Sequence, residues 1–424
     1  MGLLTPVDRY ARGRMSTDWN LVELADLGVL RFRGADAVKF LQGQVSNDVE
    51  RLTTERSQLA GYHNPQGRVI ALLRLVQLAP DADRGASEGV PGGESATKSP
   101  AGATGDVLAI LPRELVASVA SRMMKFVLRA KVKIADDSAA WKVAGLVAPH
   151  AGGAGAGRVS AASSSGAGAS GAVGDGSGAS DKLSPEAAAE FDARATSWAA
   201  SQFQQASAAA ATAGELSLAA AQLEEAESVV PLPTASALML PDAVHSQSVA
   251  GGTVIIRIGA TPARWLVLSP AGEAAPLAGC VAADRDVWRV LDIADGEAQV
   301  YAATSEEFVA QMLNLDALDA IAFDKGCYTG QEVIARAHYR GRVKRRMQRF
   351  VSRGIAAKLA VGATGQFADG RAFKVVESVQ LRDGGWEFLA VAPLVAGAEA
   401  PAAAADSTPV IDGEALPLPY PLPE

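Results

Sequence analysis

A stretch built almost entirely from the smallest residues divides this chain into separate parts. Between residues 151 and 180, 26 of 30 positions are Ala, Gly or Ser. Side chains of this size bury too little apolar surface to offset the conformational entropy lost on folding, so we expect a flexible linker. Residues 82–105, rich in Gly, Ser, Pro and Ala, are expected to be a second flexible insertion. The folded body must therefore be assembled from the segments that flank these stretches.

The remaining sequence predicts an α+β fold followed by a small β-barrel. Alternating apolar and polar residues, as at 30–33, are typical of half-buried strands, whereas Leu115, Val119, Met123 and Phe126 have helical spacing. Five parts are predicted in chain order. They are an N-terminal α+β region (1–149), a low-complexity insertion with an Ala-rich helix (150–235), a second α+β region (236–343), a β-barrel (344–395) and a tail (396–424). A barrel is predicted because that part shows strand and hairpin patterns and no helix pattern.

Charge and cysteine content exclude several classes of protein. The net charge of −8 gives no overall attraction to nucleic acids or anionic membranes. The two cysteines, Cys280 and Cys327, are too few for a disulfide framework or for the four ligands of an iron–sulfur cluster. The four histidines show no metal-binding spacing, so no stably bound metal is expected. Because no apolar run is long enough to span a bilayer, we expect a cytoplasmic protein without membrane contact.

One segment of the second α+β region combines a cysteine with a strong helix start. Its sequence is Asp324-Lys325-Gly326-Cys327-Tyr328-Thr329-Gly330-Gln331-Glu332-Val333-Ile334-Ala335-Arg336. Thr329 and Glu332 have the spacing of a capping box, which predicts a helix from there to about Arg340, ended by Gly341. Glu332 and Arg336 are four residues apart, in the order that favours an ion pair on a helix.

The position of Cys327 predicts a reactive thiol. It lies just before the expected helix N-terminus and two residues from Lys325, and both the helix dipole and a cation stabilise a thiolate. The nearby glycines allow a ligand or partner to approach the backbone closely. The alternative is that Cys327 fills space in the core, which is the commoner role of a free cysteine. Cys280 has no such surroundings and is assigned to packing.

The run from Lys325 to Glu332, with Ala335-Arg336-Ala337 after it, resembles the signature of the YgfZ family. The resemblance extends to further blocks at residues 34–36, 40–49, 314–323 and 417–420. That family is built like the aminomethyltransferase, or T-protein, of the glycine cleavage system. The resemblance therefore implies antiparallel sheets and helices around a central folate channel, with a C-terminal β-barrel.

The same resemblance implies a protein that binds tetrahydrofolate and assists the assembly or repair of iron–sulfur clusters. Its partners would be iron–sulfur client or assembly proteins, including a tRNA-modifying enzyme. Cys327 would act as the reactive thiol, with Lys325 beside it. The expected folate contacts are Trp288, Gln311, Asn314, Gly326, Tyr328, Gly330, Gln331, Glu332 and Arg336.

Some of these folate contacts have plainer alternatives. Trp288 falls where the family has a tryptophan associated with folate, but it also fits the apolar face of an amphipathic helix with Leu291. Gln311 and Asn314 follow a second capping box, which begins at Thr304 and predicts another helix. Their amides could bond to a pterin, or they could be exposed polar residues on that helix.

Two other functions stay open. The T-protein likeness also allows a folate-dependent aminomethyl or one-carbon transferase, although a signature centred on a cysteine counts against simple transfer. Between Tyr339 and Phe350 there are six basic residues and no acidic one, which would suit the glutamate tail of folate, or RNA. Because this run contains few aromatic residues, direct binding of nucleic acid is not expected, and an RNA-binding adaptor is the second alternative.

Overall fold

The structure is a computed structural model, and its described residues fall within one compact unit. These residues are 19–79, 105–149, 239–272, 277, 280–341, 343–353, 359–381, 383–394 and 410–423. The predicted flexible insertion, apart from Gly105, and the low-complexity insertion with its Ala-rich helix lie outside the described residues.

Strands dominate the described part of the chain. In chain order they are β1 Asn20–Glu23, β2 Leu27–Arg33, β3 Gln58–His63, β4 Val69–Gln77, β5 Val107–Pro112, β6 Lys133–Asp136, β7 Trp141–Val147, β8 Gln247–Ala250, β9 Thr253–Gly259, β10 Arg264–Pro270, β11 Val281–Ala283, β12 Arg345–Ser352, β13 Thr364–Phe367, β14 Ala372–Gln380, β15 Trp386–Pro393, β16 Val410–Ile411 and β17 Gly413–Leu416. The α-helices are α1 Ala37–Gln42, α2 Arg113–Met124, α3 Arg285–Asp295 and α4 Gln331–Arg340.

The N-terminal region forms an antiparallel sheet of five strands in the order β3-β4-β5-β2-β6. In β2, Leu30 and Phe32 are buried while Arg33 is exposed, which confirms the strand predicted from this alternation. The residues that directly follow β4 and precede β5 are joined, because the Leu78 amide donates a hydrogen bond to the Asp106 carbonyl oxygen at 2.8 Å. The described residues on either side of the first insertion therefore lie next to each other in this sheet.

Helix α2 packs on this sheet through Leu115, Val119 and Met123, which are buried as their spacing predicts. The helix ends at Met124, however, and the Phe126 side chain is 52% exposed. The chain leaves the helix in a turn, in which the Phe126 amide donates to the Met123 carbonyl oxygen at 3.0 Å. The expectation that the helical face extends to Phe126 is therefore wrong.

A second sheet combines strands from both α+β regions. Its order is β11-β1-β7-β10-β9-β8, so strands from before residue 150 pair with strands from after residue 239. Strands β7 and β10 are antiparallel neighbours over seven residue pairs, from Trp141 opposite Pro270 to Val147 opposite Arg264. The two regions predicted as separate parts therefore share one sheet.

The C-terminal region forms a six-stranded sheet in the order β16-β13-β14-β15-β12-β17. The predicted hairpin between β14 and β15 turns at Gly384, whose φ of 82° favours glycine. The edge strands β16 and β17 are separated in the chain only by Asp412, yet they pair with opposite edges of the sheet. They close it into a nearly complete barrel, although the sequence pattern places residues 410–416 in a tail. The predicted α+β fold with a C-terminal β-barrel is confirmed.

The second capping box does not start a helix. The Thr304 hydroxyl instead accepts a hydrogen bond from the Tyr301 amide at 3.1 Å, and the chain continues through turns to a single 3-10 turn, Ala310–Leu313. Glu306 and Asn314 have positive φ values of 63° and 56°, which an α-helix does not contain. The predicted helix is therefore wrong, and this segment is an irregular loop folded into the protein.

The largest apolar cluster lies among all three sheets. It includes Leu59 of the N-terminal sheet, Val22 of the second sheet and Val376 of the barrel. Leu315, just after the irregular loop, and Tyr328 of the signature segment belong to the same cluster. The signature segment is therefore anchored where the three sheets meet.

Candidate functional site

The N-terminal block at 40–49 is far in sequence from the block at 314–323, which leads into the signature segment, but hydrogen bonds join the two blocks. The Ser46 hydroxyl donates to the Ala320 carbonyl oxygen at 2.7 Å, and the Asn47 side-chain amide donates to the Asp319 carbonyl oxygen at 2.7 Å. Both side chains are buried, which shields these bonds from competing water. The two blocks that carry the family resemblance therefore form one local structure.

Lys325 of the signature segment provides the most extensive link to the N-terminal block. Its ammonium group donates to the carbonyl oxygens of Gln42, Val45 and Asn47, at 2.8, 2.8 and 2.6 Å. Gln42 is the last residue of α1, so these acceptors lie at a helix C-terminus, which a cation stabilises. Because the three acceptors match the three N–H donors of the ammonium, no donor remains for Cys327.

Burial also changes the acid–base behaviour of this lysine. Removal from water lowers the pKa of Lys325 to about 8, and the carboxylates of Asp48 and Glu50 oppose this shift. The ammonium also lies 5.2 Å from the centre of the Tyr328 ring, in a cation–π contact. Lys325 therefore acts as a structural cation between the N-terminal block and the signature segment.

Helix α4 begins one residue later than the first capping box predicts. Gly330, with a φ of 84°, occupies the N-cap position, and no side chain caps the helix. The predicted cap by Thr329 is therefore wrong, whereas the helix end at Arg340 and Gly341 is confirmed. A Cβ atom at Gly330 would come within 2.6 Å of the Asn64 carbonyl oxygen. Only glycine lets the turn at Asn64 lie against the helix start.

Cys327 is exposed between these anchored neighbours. Gly326 has open space where a side chain would stand, whereas Tyr328 is buried. The thiol is therefore accessible while the residues that flank it are fixed. Cys280 is half-buried against an apolar cluster, and burial raises the pKa of its thiol, as suits a packing residue.

Gln311 and Asn314 are fully buried in the irregular loop, so the alternative of exposed helix residues is wrong. The Gln311 side-chain amide donates to the Ile334 carbonyl oxygen in α4 at 2.7 Å, and that of Asn314 donates to the Met347 carbonyl oxygen in β12 at 2.8 Å. Their side-chain oxygens have no hydrogen-bond partner among the described residues. An unpaired buried acceptor costs about 1–3 kcal/mol, so a ligand that donates there would gain that energy.

Trp288 belongs to the core face of α3 and is only 4% exposed. The Arg264 guanidinium lies over the ring, 4.7 Å from its centre. The ring packs so closely on β7 that a Cβ atom at Gly145 would come within 2.2 Å of it. This burial matches the plainer of the two alternatives, and contact between Trp288 and folate stays a prediction.

Arg264 also holds the two carboxylates that follow the tryptophan. It donates to Asp292 at 2.6 Å and to Asp295 at 2.7 Å. Burial raises the pKa of Asp292 to about 6, although the neighbouring guanidinium groups oppose the shift. These acidic groups are therefore engaged by Arg264 within the core.

The remaining predicted contacts lie on the first turns of α4. Glu332 and Arg336 form the predicted ion pair at 3.3 Å, and both side chains are exposed, so the pair contributes little stability. The Gln331 side-chain oxygen accepts a hydrogen bond from the Tyr328 amide at 3.4 Å. Gln331 thereby supports the backbone next to Cys327.

The basic run between Tyr339 and Phe350 is not a continuous cationic surface. Arg346 is buried and forms two hydrogen bonds of 2.9 Å with Asp316. Arg349 is paired with the buried Glu387 at 2.5 Å. Because two of the six cations are neutralised inside the protein, the run is a poorer site for RNA or a folate tail than its sequence predicts.

Two residues without an assigned role in the sequence also lie at this junction. His63, at the end of β3, is 1% exposed, and its ring centre lies 6.2 Å from that of Tyr328. Burial lowers the pKa of His63 to about 3, so the ring is neutral at pH 7. The Tyr420 hydroxyl donates to the Gly296 carbonyl oxygen at 2.7 Å and accepts from the Asn314 amide at 3.3 Å. His63 stands in no local sequence pattern, and Tyr420 belongs to the block at 417–420 without an assigned role, so only tertiary contacts reveal what either residue does.

Comparison with known proteins shows which proteins this chain resembles. No protein-family model matches the chain. The tRNA-modifying protein YgfZ of Serratia proteamaculans (strain 568) is 26% identical over 331 residues, which cover 77% of this chain and 68% of that protein. The tRNA-modifying protein YgfZ of Yersinia pestis (strain Pestoides F) is 34% identical over 155 residues, which cover 34% of this chain and 46% of that protein. This chain is therefore similar in sequence to YgfZ proteins.

The fold of this YgfZ-like chain agrees with the architecture that the resemblance implies. The crystal structure of glycine cleavage system aminomethyltransferase T from Bartonella henselae matches it with a TM-score of 0.51 and 12% sequence identity. The match covers 90% of this chain and 80% of the other. At this level of identity the likeness concerns the fold alone.

The candidate site of this YgfZ-like chain offers two chemical features. One is an exposed thiol beside a fixed helix start, and the other is a pair of buried side-chain oxygens that can accept hydrogen bonds. Among the residues that the structure describes, no cluster of three or more His, Cys, Asp or Glu side chains could hold a metal ion. None of the described helices is both long and apolar enough to cross a membrane.

Proposed function

We propose that this chain is a tetrahydrofolate-binding accessory factor that assists iron–sulfur cluster assembly or repair in client proteins, including tRNA-modifying enzymes. One observation carries the proposal: Cys327 is exposed, while Lys325 and Tyr328 on either side of it are anchored in the protein. A thiol presented in this way suits contact with another molecule. The name of the relatives, tRNA-modifying protein, supports this assignment.

The number of cysteines defines how the thiol would act. Iron–sulfur clusters are commonly held by four cysteine thiolates, and this chain has two cysteines, of which Cys280 is half-buried. Cys327 would supply one ligand, and the client or assembly protein would supply the others. The cluster is then cargo that the protein contacts transiently.

The buried oxygens of Gln311 and Asn314 support the folate part of the proposal. A pterin ring carries an amino group and ring N–H groups, which are the donors that these acceptors lack. Both residues are fixed by their own amides, so the oxygens are held in place before a ligand arrives. Trp288, covered by Arg264, would support this site from the core.

The role of the thiol is tested in cells that lack the native gene. Cys327→Ala is expected to abolish the recovery of iron–sulfur enzyme activity that the wild-type chain gives. Cys280→Ala is the matched control, because it removes the other thiol of the chain and should leave recovery intact. Full recovery with Cys327→Ala would refute the role of this thiol.

Folate binding is tested separately with the purified protein. Calorimetric titration with tetrahydrofolate under argon should show one site, and Gln311→Met should weaken binding at least tenfold while thermal unfolding shows a folded protein. Gln348→Met in β12 is the control, since the Gln348 side-chain amide also donates to a backbone oxygen, in a half-buried position outside the irregular loop. If the wild-type protein does not bind tetrahydrofolate, the folate part fails while the result for Cys327 stands.

Folate-dependent aminomethyl transfer is the second candidate, because the fold is that of an aminomethyltransferase. Its test is methylene transfer to tetrahydrofolate from an aminomethyl donor. Transfer that persists in Cys327→Ala would favour this candidate over the accessory role, and the absence of transfer would remove it.

A further inference from the structure

We infer that residues 124–133 form a docking surface for RNA with unstacked bases, such as the loops of a tRNA. This segment, the basic loop, runs from Met124, the last residue of α2, to Lys133, the first residue of β6. It is distinct from the basic run between Tyr339 and Phe350. The inference does not depend on folate binding or on Cys327.

The basic loop is positively charged, whereas the chain as a whole carries a net negative charge. Its sequence contains no acidic residue, in a chain of net charge −8. Its exposed cations are Lys125, Arg129, Lys131 and Lys133. Within the described residues they form no ion pair, and the nearby Asp36 carboxylate accepts from the Lys131 backbone amide at 2.6 Å. The charges are therefore available to phosphate groups.

Large apolar side chains alternate with these cations. Met124 and Phe126 are about half exposed, and Leu128 is 87% exposed. Side chains of this size are usually buried, so three together on one turn indicate a contact surface. An exposed phenylalanine ring can stack on a base, and methionine and leucine can act as wedges between bases.

The arrangement favours RNA over a bilayer or an acidic protein. Lys131 and Lys133 are two residues apart at the entry to β6, where an extended chain separates them by about 7 Å. Cations in such a row fit a chain of phosphates better than they fit scattered carboxylates. The net charge of −8 gives no overall attraction to either RNA or an anionic bilayer, so binding must come from the loop alone; an RNA loop can contact this short segment by itself, whereas a flat bilayer would face much of the protein surface.

Contacts connect the basic loop with the signature segment. Arg122, just before the loop, pairs with Glu306 at 2.5 Å, and Glu306 accepts from the Asn64 side-chain amide at 2.9 Å. The Asn64 carbonyl oxygen in turn lies against Gly330 at the start of α4. RNA held by the basic loop would therefore be linked through three contacts to the helix that follows Cys327.

The probe is a fluorescently labelled tRNA transcript, and the measurement is anisotropy at 50 and 200 mM KCl. Four neutralised phosphates give a salt slope of about −3, so the affinity should fall about 50- to 100-fold between these concentrations. Lys125→Glu with Arg129→Glu should weaken binding at least tenfold at 50 mM and flatten the slope. The matched control is Arg340→Glu with Lys344→Glu, which changes charge equally at two other exposed cations and should alter affinity less than threefold.

The apolar contacts are tested with Phe126→Ala and Leu128→Ala combined. This variant should weaken binding at least fivefold without changing the salt slope, because the lost contacts are not ionic. Cys280→Ala, which removes the thiol outside the proposed site, should bind tRNA like the wild type, and circular dichroism should show that every variant is folded. The proposal is overturned if the wild type does not bind tRNA at 50 mM, or if both charge pairs weaken binding equally. It is also overturned if the loop binds phosphatidylglycerol vesicles and not tRNA.

Discussion

The Lys325 ammonium lies 2.6 Å from the Asn47 carbonyl oxygen, and this hydrogen bond joins residues 278 positions apart. Two further backbone oxygens of the N-terminal block accept from the same group. Because Cys327 is only two residues away, the N-terminal block fixes the backbone from which the thiol is presented. The YgfZ-like signature is therefore a local sequence whose geometry is set by distant residues.

Removing the charged donor should destabilise the fold. Lys325→Met keeps the apolar stem but leaves three carbonyl oxygens without their donor, so the free energy of unfolding should fall by about 2–3 kcal/mol. Urea unfolding at pH 7 measures this. Lys344→Met, at an exposed cation, should change little, and an equal loss in both variants would contradict the structural role of Lys325.

The two glycines of the signature should respond differently to alanine. At Gly330 the positive φ and the contact with the Asn64 carbonyl oxygen predict a loss of about 2 kcal/mol or more. Gly326→Ala is the matched control in the same segment, because open space surrounds that position. Differential scanning calorimetry should show a lower Tm for Gly330→Ala only. Equal melting of the two variants would contradict the close packing at the helix start.

Acid should destabilise the protein through His63. Its pKa is lowered to about 3 in the folded state against about 6.5 in the unfolded chain, so its contribution is complete above pH 6.5 and is lost as the pH falls towards 3. Relative to His63→Gln, the wild type should lose about 2 kcal/mol between pH 7 and pH 5. Denaturant unfolding at both pH values checks this. Parallel pH profiles of the two proteins would show that His63 is not the group responsible.

The hydroxyl of Tyr420 should matter to both stability and folate binding. Tyr420→Phe removes the donor to the Gly296 carbonyl oxygen and a partner of Asn314, which should cost about 1–2 kcal/mol. Since the Asn314 side chain would be less well fixed, the Kd for tetrahydrofolate should rise several-fold. Tyr339→Phe, at an exposed ring, should alter neither quantity. A Tyr420→Phe protein with wild-type stability would show that this bond is not significant.

Features governed by neighbouring residues could be predicted from the sequence. The alternation in β2, the hairpin turn at Gly384 and the end of α4 at Gly341 depend on periodicity or on glycine, and the structure confirms them. The start of α4 could not be predicted, because the turn at Asn64 selects Gly330 over Thr329 as the N-cap. A capping rule uses only local sequence and cannot include that contact.

The candidate site shows the same division. The signature segment can be recognised in the sequence. The sequence does not show, however, that Lys325 donates all three of its hydrogen bonds to the N-terminal block. Counting charges predicts a basic surface that includes Arg346, yet Asp316 neutralises this residue inside the fold. The basic loop could not be predicted from the sequence, because Phe126 continues the helical spacing of α2 although the helix has already ended. Ion pairs and helix ends set by tertiary contacts have no signature in local sequence.

Because residues 410–416 close the barrel, a chain that is being synthesised can complete the barrel only after these residues have been made. Strands β16 and β17 pair with opposite edges, so a chain interrupted before residue 410 during translation leaves both edges unpaired. Tyr420 follows these strands and only then reaches Asn314. A truncated translation product therefore lacks both the closed barrel and the completed loop, and its open strand edges are sites at which other chains can pair and aggregate.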